Sequence, residues 1–265
     1  MDDSDKSFYV GIIVMILCIF ILVSLFIFRF NSFSSGCFVA LTFDDGFYEQ
    51  YDAMLWLNER GIDSTLYYPS NLSGEIFEEY YPIITWNEVN ELQRWGNEIG
   101  SHGMNHINLD DVGYEEARYD LIESINQFKE HGIEINSYGP PYGSGVDYHE
   151  NLSEYVDIIR PLGWDFITEE NAMYEYETLP VTEDNFDDFV NSVVFNNLDD
   201  YDSNKYQGLI LVFHRVVEDV DDDNYPFRPE IDISFDNFEY IVNSVEEMGC
   251  EFVRVDEIPG VFENS

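Results

Sequence analysis

Basic residues are scarce in this chain of 265 residues: 11 Lys and Arg stand against 54 Asp and Glu, a formal net charge of −43. That deficit argues against a nucleic-acid partner, because phosphate binding needs clustered Lys and Arg. It also carries a cost, since so much like charge repels itself within a compact state. In molar salt the Debye length shrinks to about 3 Å and most of that repulsion is screened. The acids run along the whole chain rather than in one patch, so salt adaptation accounts for them better than a single cationic partner does. Disorder is excluded by the other side of the composition. With 45% hydrophobic and 17% aromatic residues, the chain has ample material for a core, and its length suits one large domain or two small ones.

Charge is missing altogether from "FYVGIIVMILCIFILVSLFIF", residues 8–28. The run is long enough to cross a bilayer as a helix and exceeds the usual apolar core of a cleavable signal peptide, about 7–15 residues. The expected layout is a tail over 1–7, a membrane anchor over 8–30, a linker "NSFSSG" over 31–36 and a soluble domain over 37–265. Lys6 and Arg29 flank the span on opposite sides, so the positive-inside rule does not orient it. An outward-facing domain at the cell membrane is the expectation. The "SSGC" box at 34–37 lacks the aliphatic residue of a lipoprotein signal, having Ser34 there.

Only three cysteines occur. Cys18 falls in the apolar span, while Cys37 and Cys250 each precede a predicted strand. If those strands are neighbours the two can form a disulfide; two unpaired buried thiols fit the sequence equally.

No repeat or low-complexity segment interrupts the rest. Strand-like runs fall at 37–43, 64–69, 97–102, 165–168, 208–214 and 250–255. Helical periodicity marks 85–96, 114–132 and 234–249, the first opening with a Thr85…Glu88 capping box and all three stopping at a glycine. Strands alternating with helices predict a parallel α/β architecture, in which reactive side chains gather at the C-terminal strand ends.

Three of the five histidines lie at such ends. The first run closes on Asp44 and Asp45, the third leads into His102 and His106, and the penultimate one stops at His214. Two imidazoles and a carboxylate form a ligand set for a catalytic divalent ion, and an adjacent free carboxylate can serve as base. Each piece alone has a plainer reading. "DDG" is commonly a turn, HxxxH a helix face, and a lone His after a strand a hydrogen-bonded core residue. Their conjunction in this order is what points to a site.

"LTFDDGF" (41–47), "NEIGSHGMNHINL" (97–109), "GPPYG" (139–143) and "LILVFH" (209–214), in this order and spacing, resemble the polysaccharide deacetylases of carbohydrate esterase family four. The resemblance covers nearly all of residues 38–255. It implies an incomplete, distorted (β/α) barrel, here following one N-terminal transmembrane helix. It also implies removal of N-acetyl, or O-acetyl, groups from an acetylated carbohydrate polymer, with Zn2+, Co2+ or a similar divalent ion.

Under that resemblance Asp44 is the general base, Asp45, His102 and His106 hold the metal, and His214 is the general acid. The backbone N–H of Tyr142 would meet the oxyanion, with Pro141 and Trp164 beside the substrate. Two departures stand out. The family arginine that pairs with the catalytic aspartate is replaced by Gly139, and Arg215, beside His214, is the candidate to replace its charge. The Asp/Trp element supporting the acid is matched only by Trp164–Asp165. Two alternatives therefore stay open: a catalytically weak or silent carbohydrate-binding relative, and a deacylase of small amides. The sequence leaves the oligomeric state open.

Other features carry less. His131 suits a helix C-terminus, His149 a surface position and "EDVDDDN" (218–224) a solvated loop. Tyr67, Tyr68, Tyr80 and Tyr81 are candidates for stacking on sugar rings. Asn71 and Asn151 each begin an "NLS" glycosylation sequon, which matters only for an exported domain.

Overall fold

The computed structural model describes residues 37–77, 80–162, 167–168, 179–191, 207–218 and 226–263. The expected anchor over 8–30 lies outside them; among the described residues no helix is long and apolar enough to cross a membrane.

In chain order the strands are β1 (Cys37–Asp44), β2 (Thr65–Tyr68), β3 (Ile76–Phe77), β4 (Tyr81–Pro82), β5 (Glu98–Ser101), β6 (Ser137–Tyr138) and β7 (Ile158–Ile159). There follow β8 (Ile167–Thr168), β9 (Leu179–Pro180), β10 (Gln207–Phe213), β11 (Val216–Val217), β12 (Ile233–Ser234) and β13 (Glu251–Phe252). Nine of them build one sheet in the order β7-β6-β5-β2-β1-β10-β8, with β13 also on β1 and β9 also on β10. All its pairings are parallel except β8 with β10. β3–β4 and β11–β12 form two small separate ladders.

β1 is the centre of the sheet because its sequence allows it to be. Seven of its eight residues are buried, the near-continuous apolar run of a strand covered on both faces. It pairs with β10 over seven residues, from Cys37 opposite Gln207 to Phe43 opposite Phe213. Phe43, Phe213 and Phe238 then meet in one aromatic cluster, with centroids 5.0–6.0 Å apart. Burial of each such ring is worth about 1.5–3 kcal/mol. Phe238 comes from the helix Phe235–Met248, whose buried residues Phe238, Ile241, Val242 and Val245 recur at helical spacing.

The expected strands all appear, with the run at 165–168 described only at Ile167–Thr168. The expected helices appear as Trp86–Arg94, Tyr114–Glu130 and Phe235–Met248. At the first, Glu88 Oε2 accepts from the backbone N–H of Thr85 at 2.6 Å and from its hydroxyl at 2.9 Å. His131 caps the second helix and stacks on Trp86 at 4.1 Å. His149, expected at the surface, is instead buried, its Nε2 lying 3.2 Å from the Ser144 carbonyl.

The cysteine question has an answer in the register. β13 pairs with β1 so that Phe38 faces Glu251. The residues one step earlier therefore face each other, and Cys37 and Cys250 are joined in a disulfide with Cα atoms 4.9 Å apart. The bond closes a loop spanning 213 positions at the end of β1 opposite Asp44.

Candidate metal centre and active site

The C-terminal ends of β1, β2, β5 and β10 are neighbours in the sheet, and the loops that leave them form the site. Asp44 is the last residue of β1. Asp45 and Gly46 then turn the chain with positive φ, 79° and 77°. Only glycine suits the second position, where a Cβ would lie 2.5 Å from the Tyr68 ring. Among the described non-glycine residues, Asp45, His106 (φ 54°) and Tyr142 (φ 61°) are the three with positive φ. All three belong to this one site, where backbone strain is characteristically held.

Asp45 Oδ1 lies 3.2 Å from His102 Nε2 and 2.9 Å from His106 Nε2. The three donor atoms fall within 4.8 Å of one another. The chemistry of this set fits a cation. His102 Nδ1 lies 2.6 Å from the Gly139 carbonyl, which can only accept, so Nδ1 carries a proton. In the neutral ring Nε2 then presents a lone pair towards a carboxylate oxygen, an arrangement that a bound divalent ion resolves. Asp45 Oδ1 is accordingly buried without a hydrogen-bond partner among the described residues. With no ion bound the imidazoles must instead donate to the carboxylate: burial raises the Asp45 carboxyl, and hydrogen bonds from His102 and His106 then outweigh it and hold the group well below its usual range. For His106 burial lowers the imidazole, and Asp45 more than reverses that.

Asp44 is buried, and its charge is met by a residue that the sequence did not single out. Arg160 follows β7, is itself buried, and its Nη2 donates to both Asp44 oxygens at 2.8 and 2.7 Å. Its guanidinium lies 4.4 Å over the Tyr67 ring. The expectation that Arg215 would supply this charge is overturned. Arg215 donates to Glu49 at 2.8 Å, to Asp232 at 2.9 Å and to the Pro226 carbonyl at 3.1 Å. It follows β10 and serves the loops on that flank.

Gln50 and Asp120 were also missed. Gln50, fully buried on the helix Tyr48–Glu59, donates from Nε2 to the Asp44 carbonyl and, at 2.5 Å, to the His214 carbonyl. Asp120 sits on the buried face of Tyr114–Glu130 and accepts from the Met104 N–H at 2.8 Å and the Asn105 N–H at 3.1 Å. It thereby shapes the loop that carries His106. An acid at helical spacing from Ala117, Leu121 and Ser124 on a buried face was the available signal.

His214 immediately follows β10, and its Nδ1 is buried with no partner among the described residues. Trp164 and Asp165, expected beside it, lie outside the described residues. Pro141 is buried, whereas Tyr142 is 60% exposed with its ring 4.7 Å from that of His106. Tyr67, Tyr68 and Tyr81 are buried and so cannot stack on a sugar; Tyr80 is exposed.

The site thus sits on an α/β fold with a curled, mostly parallel half-barrel sheet. Residues 34–159 match the family model described as polysaccharide deacetylase. Solved structures share the fold. The Xyl-CE4 domain of a multidomain xylanase from the hindgut metagenome of Trinervitermes trinervoides superposes with a TM-score of 0.53 at 17% identity, covering 83% of this chain and 88% of that one. The peptidoglycan deacetylase PdaC from Bacillus subtilis gives 0.52 at 18% identity, covering 86% and 92%. A family 4 carbohydrate esterase from Streptomyces lividans, in complex with acetate, gives 0.53 at 15%, covering 81% and 91%. No curated protein sequence matches the chain.

Proposed function

We propose that this protein is a metal-dependent deacetylase that removes N-acetyl groups from an acetylated glycan. The observation carrying this reading is the convergence of Asp45, His102 and His106 on one point, beside a buried carboxylate, Asp44, and a histidine, His214, on adjoining strand ends. The family match over residues 34–159 supports it, and PdaC and the acetate-bound esterase supply the precedent of substrate class.

Asp45, His102 and His106 would hold the ion, with Zn2+ the first candidate for such a nitrogen and oxygen set. A divalent ion bound there supplies Lewis-acid polarisation and lowers the pKa of coordinated water. Asp44, fixed by Arg160, accepts the proton of the attacking water. By the resemblance, the Tyr142 backbone N–H would stabilise the oxyanion formed when water attacks the acetyl carbonyl carbon. His214 delivers a proton to the departing nitrogen, so that the amide C–N bond breaks and acetate and an amine are released.

The cell-surface location is part of the same proposal. The uncharged 8–28 run supports an anchor, and the Cys37–Cys250 disulfide supports an oxidising compartment. The −43 charge supports work in high salt.

One observation favours a second reading, a silent carbohydrate-binding relative. Gly139 stands where the resemblance places an arginine, and a structural neighbour at 14% identity (TM-score 0.52) is a mutant of a CE4 family pseudoenzyme with restored activity. The buried Arg160–Asp44 pair weighs against it. The deciding experiment is acetate release from N-acetylglucosamine oligomers by the full chain in detergent and molar salt, with and without a chelator. Chelator-sensitive release supports the enzyme. Binding of oligomers without release by zinc-loaded protein would replace it with the silent reading.

A further inference from the structure

Gly139 and Arg160 are side by side for a reason of register. β6 and β7 run parallel with Tyr138 opposite Ile159, so the next residues out, Gly139 and Arg160, face each other at the C-terminal end of the sheet. Arg160 N–H donates to the Tyr138 carbonyl at 2.8 Å, and Gly139 N–H to the Ser101 carbonyl at 3.0 Å. Both backbones are therefore locked. A Cβ built on Gly139 would lie 2.4 Å from Arg160 Nη2 and 3.0 Å from the Tyr67 ring. The space that a side chain at 139 would enter is filled by the Arg160 guanidinium, held between Tyr67 and Asp44. Gly139 does not have a positive φ, so its backbone does not require glycine; the arginine opposite does.

We infer that Gly139 and Arg160 form one unit, a slot for a single guanidinium that orients Asp44 and can be filled from either strand. The inference rests on the deacetylase reading and assigns Arg160 as its positioning residue. Gly139 has a second part in the unit, since its carbonyl fixes the Nδ1 side of His102. Base and metal ligand are thus referred to the same short stretch of backbone. Arg160 donates to both oxygens of Asp44, so its contribution is to hold the carboxylate in one orientation. A misplacement of about 1 Å in such a group costs on the order of 10²-fold in rate.

The test uses the full chain as parent, Arg160→Ala, Gly139→Arg and the double variant Gly139→Arg/Arg160→Ala, each read by steady-state acetate release and by thermal midpoint. Arg160→Ala is expected to lose about 10²-fold in kcat with KM changed by less than about threefold. Gly139→Arg alone is expected to lose activity and thermal midpoint, because two guanidinium groups cannot share the slot. The double variant is expected to regain at least about tenfold of the kcat lost by Arg160→Ala, and to melt above it. Where the double variant does not fold, guanidinium ion at non-denaturing concentration is added to Arg160→Ala; recovery of kcat supports the slot and no recovery overturns it. A folded Arg160→Ala with parental kcat, or a folded double variant no faster than Arg160→Ala, also overturns it. Should the parent itself release no acetate, the deacetylase reading fails separately. The slot is then judged by whether the second arginine restores the thermal midpoint.

Discussion

Asp44 and His214 close two neighbouring parallel strands, one step beyond the paired Phe43 and Phe213, and the amide of Gln50 donates to both of their carbonyls. The candidate base and acid are therefore tied at the backbone by one buried side chain. Asp44→Asn is expected to keep bound metal and lose about 10²–10⁴ in turnover, as is His214→Ala. Either variant working at the parental rate would remove that residue from the proposed chemistry.

The tie itself can be cut. Gln50→Leu takes its donor from one buried and one part-buried carbonyl, at about 1–3 kcal/mol for a buried unsatisfied group. A lowered denaturation midpoint together with reduced turnover is the expected pair of results in urea melts and acetate assays. Unchanged stability would mean that the two strand ends are held by the sheet alone.

The metal assignment is checked by stoichiometry. Under the proposed function dialysed parent is expected to retain stoichiometric zinc, and Asp45→Ala and His106→Ala are each expected to abolish it, since each removes one of the three converging donors. Elemental analysis decides it. If both variants held zinc like the parent, these residues would not be the ligands.

Glu98 lies at the other end of β5, where it accepts from the hydroxyls of Thr65 and Ser137 and from the Asp256 N–H. Burial, reinforced by the charge of Asp256, pushes its carboxyl up from 4.5 to about 7. The folded state thus keeps this proton at higher pH than the unfolded chain. Stability from that proton is complete below the unfolded value and is lost as pH rises through about 7, a change of about 3 kcal/mol. Glu98→Gln removes the linkage, so its thermal midpoint should gain on the parent's between pH 5 and 8. A difference independent of pH would show that Glu98 does not titrate in this range.

The Cys37–Cys250 bond spans 213 positions, and removing a disulfide of this kind costs about 2–5 kcal/mol. Reduction, or the Cys37→Ser/Cys250→Ser pair, is expected to lower the thermal midpoint by about 5–15 °C. Acetate release by the folded fraction should not change, because the bond sits at the start of β1 and the site at its end. A melting curve indifferent to reductant would contradict this.

The chain's local patterns were enough to determine much of this protein. Apolar runs and helical spacing placed the strands through Asp44, Ser101 and Phe213 and the three long helices, because strand and helix periodicity is written in neighbouring residues. The order of "DDG" and the two histidines after β5 pointed to Asp45, His102 and His106, whose donor atoms the fold brings together. Contacts that depend on register between distant strands were not legible. Arg160 reaches Asp44 across 116 positions, and nothing near Arg160 in the sequence marks it as the partner of Asp44. Only the parallel pairing of β6 with β7 puts it opposite Gly139. The same holds for Cys37 and Cys250, whose pairing needed β13 to lie on β1. Local sequence encodes which elements form and which groups they carry; side-by-side placement of those elements is a property of the packed sheet, and it decides which arginine holds the base and which cysteines bond.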